Sequence, residues 1–281
     1  MDRSRYAGAV VRTVILLLSV ILVGGGGGLA ARAESATPST ASDALLYPEL
    51  RITATDTGFQ LPAQVPAGRT LMTFDNGGTT VHQPVFLPLP AGETPERMQA
   101  EIQTLSETQD VAPPLWFFAG PWLGGPEAVD ADGRSQAIVD LPAGHYAVID
   151  GAVFQGQSPA AAAGFVVAPA PAATASPSSE PAADATITER EFAFLDLPVR
   201  VAPGLHTWKI ANVGKQAHEF FIGKVPPGTT LDQVLALVSS PPGGTPPAEG
   251  LDFSQIASIG GLSLLGPGRT AWTVLDLTPG T

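Results

Sequence analysis

Residues 67–82 read AGRTLMTFDNGGTTVH, and the same pattern recurs at residues 203–218 as PGLHTWKIANVGKQAH. A glycine, an asparagine, a second glycine and a histidine stand at identical spacings in both stretches. These landmarks are Gly68, Asn76, Gly78 and His82 in the first stretch and Gly204, Asn212, Gly214 and His218 in the second. Internal similarity of this kind predicts a tandem duplication.

Further landmarks extend the match downstream of the two histidines. They are Gly92 with Gly228, Thr94 with Thr230, and DLPAG at residues 140–144 with DLTPG at residues 276–280. The sequence therefore predicts two domains of one architecture, residues 45–167 and residues 186–281. The second domain stops about two strands short of the first, so we interpret it as C-terminally incomplete and the sequence as a fragment.

The segments outside the two domains have the composition of processing and linker sequences. Residues 1–33 combine early arginines, an apolar run and an Ala-Arg-Ala site, which is typical of a secretory signal peptide. Residues 34–44 form a polar tether, and residues 168–185 form a Pro/Ala-rich linker with little apolar bulk. We expect an extracytoplasmic protein (secreted, periplasmic or associated with the cell envelope) with no membrane span after signal cleavage.

The hydrophobic pattern predicts β-strands in both domains. Apolar residues alternate with polar ones at Leu50, Ile52 and Ala54, and again at Trp208 and Ile210. A period of two is typical of a half-buried strand. Together with glycine-rich turns, this pattern favours an all-β fold class of two Greek-key β-sandwiches.

One helical insert is expected in each domain. Thr94 precedes a proline, as an N-terminal cap does, and Met98 and Ile102 continue on one apolar face. Thr230 and Gln233 have the spacing of a capping box.

Composition excludes several classes of function. The 281 residues include 14 Lys and Arg against 26 Asp and Glu, a formal charge of −12, which argues against nucleic acid as a partner. The chain has no cysteine, so its own residues form no disulfide, thiolate nucleophile or copper–thiolate bond. No catalytic motif is present either, and we expect a protein that is not an enzyme.

The order of landmarks resembles the cupredoxins, the plastocyanin- and azurin-like superfamily of type-1 blue copper proteins. The motifs that carry the resemblance are N-x-G-x-x-x-H in both domains and P-x-G-x-Y at residues 142–146. The resemblance covers both domains and implies a cupredoxin-like sandwich in each. It also implies a copper site made by a first histidine and then by cysteine, histidine and methionine in the closing loop.

The resemblance also implies that domain 1 lacks a type-1 copper site. His82 falls on the first histidine, but Asp150 takes the cysteine position, Ala160 or a neighbour the second histidine, and Phe165 the axial ligand. A site made by His82, Asp150 and His145 is chemically allowed. His145 and the adjacent tyrosine point to opposite faces of their strand, which counts against that site. We therefore expect His82 to be structural.

Domain 2 keeps His218 at the position of the first histidine, as a vestigial or partial copper ligand. The sequence favours a non-catalytic module with no cofactor in the chain as given, binding an unknown protein or small molecule or serving a structural role. The alternative is an electron-transfer or copper-carrier protein whose metal lies in domain 2, completed by residues beyond Thr281. Fold resemblance alone does not decide between them.

An aromatic run, PPLWFF at residues 113–118 followed by Trp122, has two interpretations. It forms either an exposed lid that docks a partner or a segment that folds back over the core or the domain junction. We favour the second, since an exposed cluster of this kind reduces solubility.

Overall fold

The computed structural model describes residues 47–108, 114, 116, 120–155, 158–170, 180–191, 193–238 and 251–278. The predicted signal peptide and tether, residues 171–179 of the linker, and the last three residues lie outside the described residues. The same holds for Leu115, Phe117 and Phe118 of the aromatic run. Within the described part, no helix is both long and apolar enough to cross a membrane.

In the part of the N-terminal half that the structure describes, eight strands and one α-helix of several turns have defined bounds. They are β1 (Glu49–Thr55), β2 (Gly58–Gln60), β3 (Gln64–Pro66), β4 (Gly68–Asn76), β5 (Pro84–Pro88), α1 (Pro95–Glu107), β6 (Arg134–Leu141), β7 (Gly144–Asp150) and β8 (Ala162–Ala168). The C-terminal half has fewer described strands. They are β9 (Ala185–Arg190), β10 (Ala193–Leu195), β11 (Gly204–Asn212), β12 (His218–Lys224), α2 (Leu231–Val238), β13 (Ala257–Leu265) and β14 (Thr270–Leu277).

The strands form three sheets. The largest has the order β10-β9-β11-β14-β6-β4-β1-β2 and runs through both halves of the chain. A four-stranded sheet, β3-β8-β7-β5, packs against its N-terminal half, and a two-stranded sheet, β12-β13, packs against its C-terminal half. The predicted all-β sandwich is therefore confirmed.

The strands form where the sequence alternates. Leu50, Ile52 and Ala54 on β1 are fully buried, as is Ile210 on β11, and Trp208 on the same strand is almost so. In these two strands, one face thus contributes side chains to the core and the other faces outward, as the period of two predicts. A single apolar cluster extends through both sandwiches.

Both helices begin at the residues that the sequence indicates. The Thr94 side chain accepts a hydrogen bond from the Arg97 amide at the start of α1, and Met98 and Ile102 are buried. At the start of α2, the Gln233 amide donates to the Thr230 hydroxyl, and the Thr230 amide donates to Gln233 Oε1. These reciprocal bonds confirm the capping box.

The two halves meet along strands β6 and β14, which pair in antiparallel fashion and make the largest sheet continuous. A second contact joins the loop before β6 to β13, through the bridges Leu123 to Leu265 and Pro126 to Leu262. The sequence does not predict this joint. The hydrophobic alternation of an edge strand shows which of its faces is buried, but it does not show which other strand it pairs with.

The described residues of the aromatic run lie inside the molecule. Trp116 and Trp122 are buried in a cluster with Met98, Ile102 and Val153. The backbone oxygen of Trp122 also accepts a hydrogen bond from the Gly266 amide in the C-terminal half. For these two residues the structure confirms a segment that covers the core and the junction.

Candidate functional site

A buried imidazole–carboxylate pair lies where the resemblance to blue copper proteins places metal ligands. His82 Nδ1 is 2.6 Å from Asp150 Oδ2, and both side chains are almost fully buried. A carboxylate is an acceptor, so the imidazole donates through Nδ1. Asp150 Oδ1 accepts two further bonds at 3.0 Å, from the backbone amides of Gln83 and Ala152. The Asp150 carboxylate therefore accepts hydrogen bonds from three donors, one imidazole and two backbone amides.

The loop that carries His82 is built by Asn76. Its side-chain amide donates to the backbone oxygens of Thr80 and Val129, and its Oδ1 accepts from the Gly78 amide. The loop passes so close to the imidazole that a Cβ added to Gly78 would lie 2.6 Å from His82 Nε2. Glycine is required here by this close approach.

The same loop occurs 136 residues later in the chain. Asn212 donates to the backbone oxygens of Gln216 and Leu265 and accepts from the Gly214 amide. A Cβ on Gly214 would lie 2.9 Å from His218 Nε2. The asparagine, glycine and histidine landmarks thus have one structural role in both halves.

His218 is buried, and its Nε2 atom, like that of His82, has no hydrogen-bond partner in the part of the chain that the structure describes. Burial lowers the pKa of His218, and the nearby Glu191 carboxylate partly opposes this effect. The neutral imidazole is therefore the favoured form at pH 7.

The other positions of the predicted closing loop carry no metal-binding group. Phe165 stacks on Tyr146 at 5.6 Å between ring centroids, and Ala160 is buried. His145 is exposed on the opposite face of β7, as its position next to Tyr146 predicts. The structure therefore brings His82 and Asp150 together and keeps His145 away from both.

These residues do not fit a type-1 copper centre. The chain has no thiolate, and the Nδ1 atom of His82 is engaged by Asp150. Within the described residues, no three His, Cys, Asp or Glu side chains are placed to hold a metal ion.

Sequence reasoning did not find a buried acidic cluster at the joint between the halves. The Gln83 side-chain amide donates to Glu127 Oε1 at 3.1 Å and to Glu219 Oε1. All three residues are buried, and Gln83 and Glu219 are the residues directly after the two landmark histidines. The sequence feature that indicates this cluster is Glu219, a charged residue inside the apolar strand HEFFIGK.

Burial shifts the acidity of this cluster. It raises the pKa of Glu127 to about 7, and it raises the pKa of Glu219 well above its usual value, with the Glu127 carboxyl adding to the shift. Glu189 on β9 is fully buried, and burial raises its pKa to about 8. Neither Glu189 oxygen has a hydrogen-bond partner in the part of the chain that the structure describes. Protonated carboxyls are therefore favoured below neutral pH.

A small cavity of about 30 Å³ borders the cluster. Gln83 and Glu219 supply its polar groups, and Trp122, Phe154 and Leu264 supply apolar walls. Since a water molecule needs about 10–15 Å³ of such space, the cavity has room for one or two waters beside the carboxyl groups.

Comparison with known proteins gives matches in structure but none in sequence. No protein-family model and no curated protein sequence matches the chain. Reduced auracyanin from Roseiflexus castenholzii is 17% identical, covers 43% of this chain and 97% of its own, and has a TM-score of 0.29. Auracyanin A, a blue copper protein from Chloroflexus aurantiacus, is 14% identical over 42% of this chain and 97% of its own, with a TM-score of 0.29.

A longer match is the blue copper oxidase from Nitrosomonas europaea. It is 13% identical, covers 83% of this chain and 77% of its own, and has a TM-score of 0.24. Two of these three structures are described as blue copper proteins, one an auracyanin and one an oxidase.

Proposed function

We propose that this chain is an exported, non-catalytic, cupredoxin-like protein that acts as a binding or structural module and whose N-terminal domain lacks a type-1 copper site. The observation that carries the proposal is the 2.6 Å hydrogen bond between His82 and Asp150. Asp150 supplies an acceptor where a copper protein would need a thiolate, and it also holds two backbone amides. This pair stabilises the closing loop through hydrogen bonds alone.

A tandem duplication supports the division into two domains, residues 45–167 and 186–281. Asn76 and Asn212 make the same three hydrogen bonds at an interval of 136 residues. Gly92 and Gly228 share a positive φ, at 84° and 88°. Such agreement in local geometry is expected of two copies of one unit.

Export is supported by the composition of residues 1–33, which matches a signal peptide. A net charge of −12 favours solubility and disfavours anionic surfaces as partners. The predicted absence of enzyme activity is supported by the lack of a recognised catalytic motif in the sequence.

Copper titration tests the proposal. Purified protein is stripped with a chelator and titrated with Cu(II), with binding followed by calorimetry and electron paramagnetic resonance. We expect no stoichiometric copper in the wild type, His82→Ala or His218→Ala. One bound copper that is lost in His82→Ala would contradict the proposal. One copper lost in His218→Ala alone would support the alternative, a copper protein with its metal in domain 2.

A further inference from the structure

A buried histidine–aspartate pair also lies in the C-terminal half, where the linker ends. His206 Nδ1 on β11 is 3.2 Å from Asp184 Oδ2, and His206 Nε2 is 2.8 Å from the backbone oxygen of Ala202. The side chains of His206 and Asp184 are only 8% and 9% exposed. Asp184 directly precedes β9, at the end of the predicted linker, so the pair joins the linker to β11.

Both ring nitrogens of His206 face groups that accept hydrogen bonds and cannot donate them. A neutral imidazole donates from one nitrogen only, while a carboxylate and a backbone oxygen have no proton to give. In either neutral tautomer, one ring nitrogen would therefore point its lone pair at an acceptor oxygen. The doubly protonated ring makes both bonds, and its positive charge then lies beside the Asp184 carboxylate.

The pair is coupled to the backbone of β11. Asp184 Oδ2 also accepts a hydrogen bond from the Thr207 amide at 3.0 Å, and the Asp184 amide donates to the Thr207 backbone oxygen at 2.8 Å. Lys209 and Glu180 form an ion pair on the same segment, but it is exposed, and exposed ion pairs add little stability. The end of the linker is thus held by bonds to two consecutive residues of β11.

Other charged side chains near this position point elsewhere. Leu275 on β14 lies directly opposite His206. Asp276 on β14 and Lys209 on β11 lie on the other face of the sheet, because successive residues of a strand alternate between faces. Arg200, in the segment before β11, is exposed. The linker carboxylate is therefore the charged group in contact with the imidazole.

The first unit has no titratable side chain at the equivalent place. The residue 136 positions before His206 is Thr70 on β4, which is also buried, and its hydroxyl donates to the backbone oxygen of Gly68. The architecture of a unit therefore does not require a histidine here. Both nitrogens of His206 already have partners within the described residues, so a further segment of the chain would find no free ring nitrogen to bind.

We infer that His206 and Asp184 form a proton-dependent clasp, which fixes the end of the linker to β11 when the imidazole is doubly protonated and loosens when the ring loses one proton. Loss of that proton removes one of the two ring hydrogen bonds and the positive charge beside Asp184. Histidine is the side chain whose ordinary titration lies between about pH 5 and 8. The clasp is therefore complete at acidic pH and weakens as pH rises.

The first test reads the protonation state of the ring by nitrogen-15 NMR of the labelled protein. The signals of His206 are assigned by their loss in His206→Thr. We expect both ring nitrogens to carry protons at pH 5 and one of these protons to be lost at pH 9. A neutral ring at pH 5 would overturn the inference, and so would a ring that is still doubly protonated at pH 9.

The second test compares amide hydrogen exchange at the two ends of β11. The Thr207 and Asp184 amides report on the clasp, and the Asn212 amide, which donates to the Arg269 backbone oxygen, is the internal control. After correction for intrinsic exchange, we expect protection at Thr207 and Asp184 to fall about tenfold relative to Asn212 between pH 5 and pH 9, the equivalent of one hydrogen bond. An equal fall at all three amides would show a general loss of stability and would overturn the inference.

Three variants separate the titration from the packing. His206→Thr introduces the residue of the first unit, and we expect protection at Thr207 relative to Asn212 to become independent of pH. Asp184→Asn keeps an oxygen for the Thr207 amide but removes the negative charge, so we expect a smaller pH dependence than in the wild type. The matched control is His145→Thr, which replaces an exposed histidine and should retain the pH dependence of the wild type. A pH dependence in His206→Thr equal to that of His145→Thr would overturn the inference. The clasp does not depend on whether the chain binds copper.

Discussion

Ala137 on β6 lies directly opposite Thr273 on β14, and these two residues stand 136 positions apart in the chain. Pro126 and Leu262, which bridge the other contact of the joint, are separated by the same interval. In a two-fold symmetric interface, residues on the axis meet their own copies. The joint therefore has the geometry of a homodimer of single units, as expected if a duplicated unit kept the pairing of its ancestral edge strand.

The Asp150 carboxylate should be a major source of stability in the N-terminal half. Asp150→Ala removes the acceptor for His82 Nδ1 and for two backbone amides in a buried place. We expect the free energy of unfolding to fall by about 3–5 kcal/mol, as measured by urea denaturation with tryptophan fluorescence.

Asp150→Asn is the matched variant for this measurement. Its side-chain oxygen can still accept from the two amides, so we expect a clearly smaller loss than in Asp150→Ala. A loss of less than about 1 kcal/mol in Asp150→Ala, the ordinary value of a single hydrogen bond, would show that the carboxylate is not a major source of stability for this loop.

Two glycines beside the landmark histidines should respond alike to substitution. In Gly78→Ala the new Cβ would lie 2.6 Å from His82 Nε2, and in Gly214→Ala it would lie 2.9 Å from His218 Nε2. We expect each substitution to lower the free energy of unfolding by about 1–3 kcal/mol through overpacking, as measured by thermal denaturation. Gly77→Ala is the control, since its Cβ would meet nothing closer than 3.4 Å. An equal loss of stability in Gly77→Ala would show that backbone conformation, and not contact with the imidazole, causes the destabilisation.

Stability should fall as pH rises from about 4.5 to above 8. Burial raises the pKa of Glu127 to about 7 and that of Glu189 to about 8, so the fold holds protons that the unfolded chain releases. The contribution of these groups is fully present below their ordinary pKa and is lost as pH rises through the raised values. Urea midpoints at pH 5 and pH 9 measure this difference.

The Glu189→Gln variant isolates one group in that titration. Its amide cannot ionise, so we expect the variant to unfold at higher urea than the wild type at pH 9, with a smaller difference between pH 5 and pH 9. The partly exposed Glu191 gives the control variant Glu191→Gln, because a hydrogen bond from the Lys215 backbone amide lowers the pKa of Glu191. A pH dependence unchanged in Glu189→Gln would show that Glu189 is ionised in the fold.

Local features of the fold are predictable from sequence because they depend on neighbours in the chain. The helix start at Thr94 and the burial of Leu50, Ile52 and Ala54 follow from capping and from a period of two. The pairing of β6 with β14 is not predictable in this way, since it joins strands more than 100 residues apart.

The candidate site was partly predictable for the same reason. The motif resemblance places Asp150 near His82, and strand alternation removes His145 from the site. The cluster at the joint depends on tertiary contacts between the two halves. Glu127 carries no sequence signal, because it follows a proline in a loop and is buried only by the joint.

The Gln83 side chain should couple the two halves of the molecule. Gln83→Met removes the donor that Glu127 and Glu219 share and leaves buried carboxyls without their amide partner. We expect the free energy of unfolding to fall by about 1–3 kcal/mol.

A double-mutant cycle with Glu219→Met measures this coupling. In Glu219→Met the Gln83 amide loses one acceptor, while the double variant replaces both polar partners with apolar groups of similar size. The double variant should therefore be more stable than the sum of the two single losses implies, and urea denaturation of all four proteins gives the coupling energy. Strictly additive losses would show that Gln83 and Glu219 do not interact across the joint.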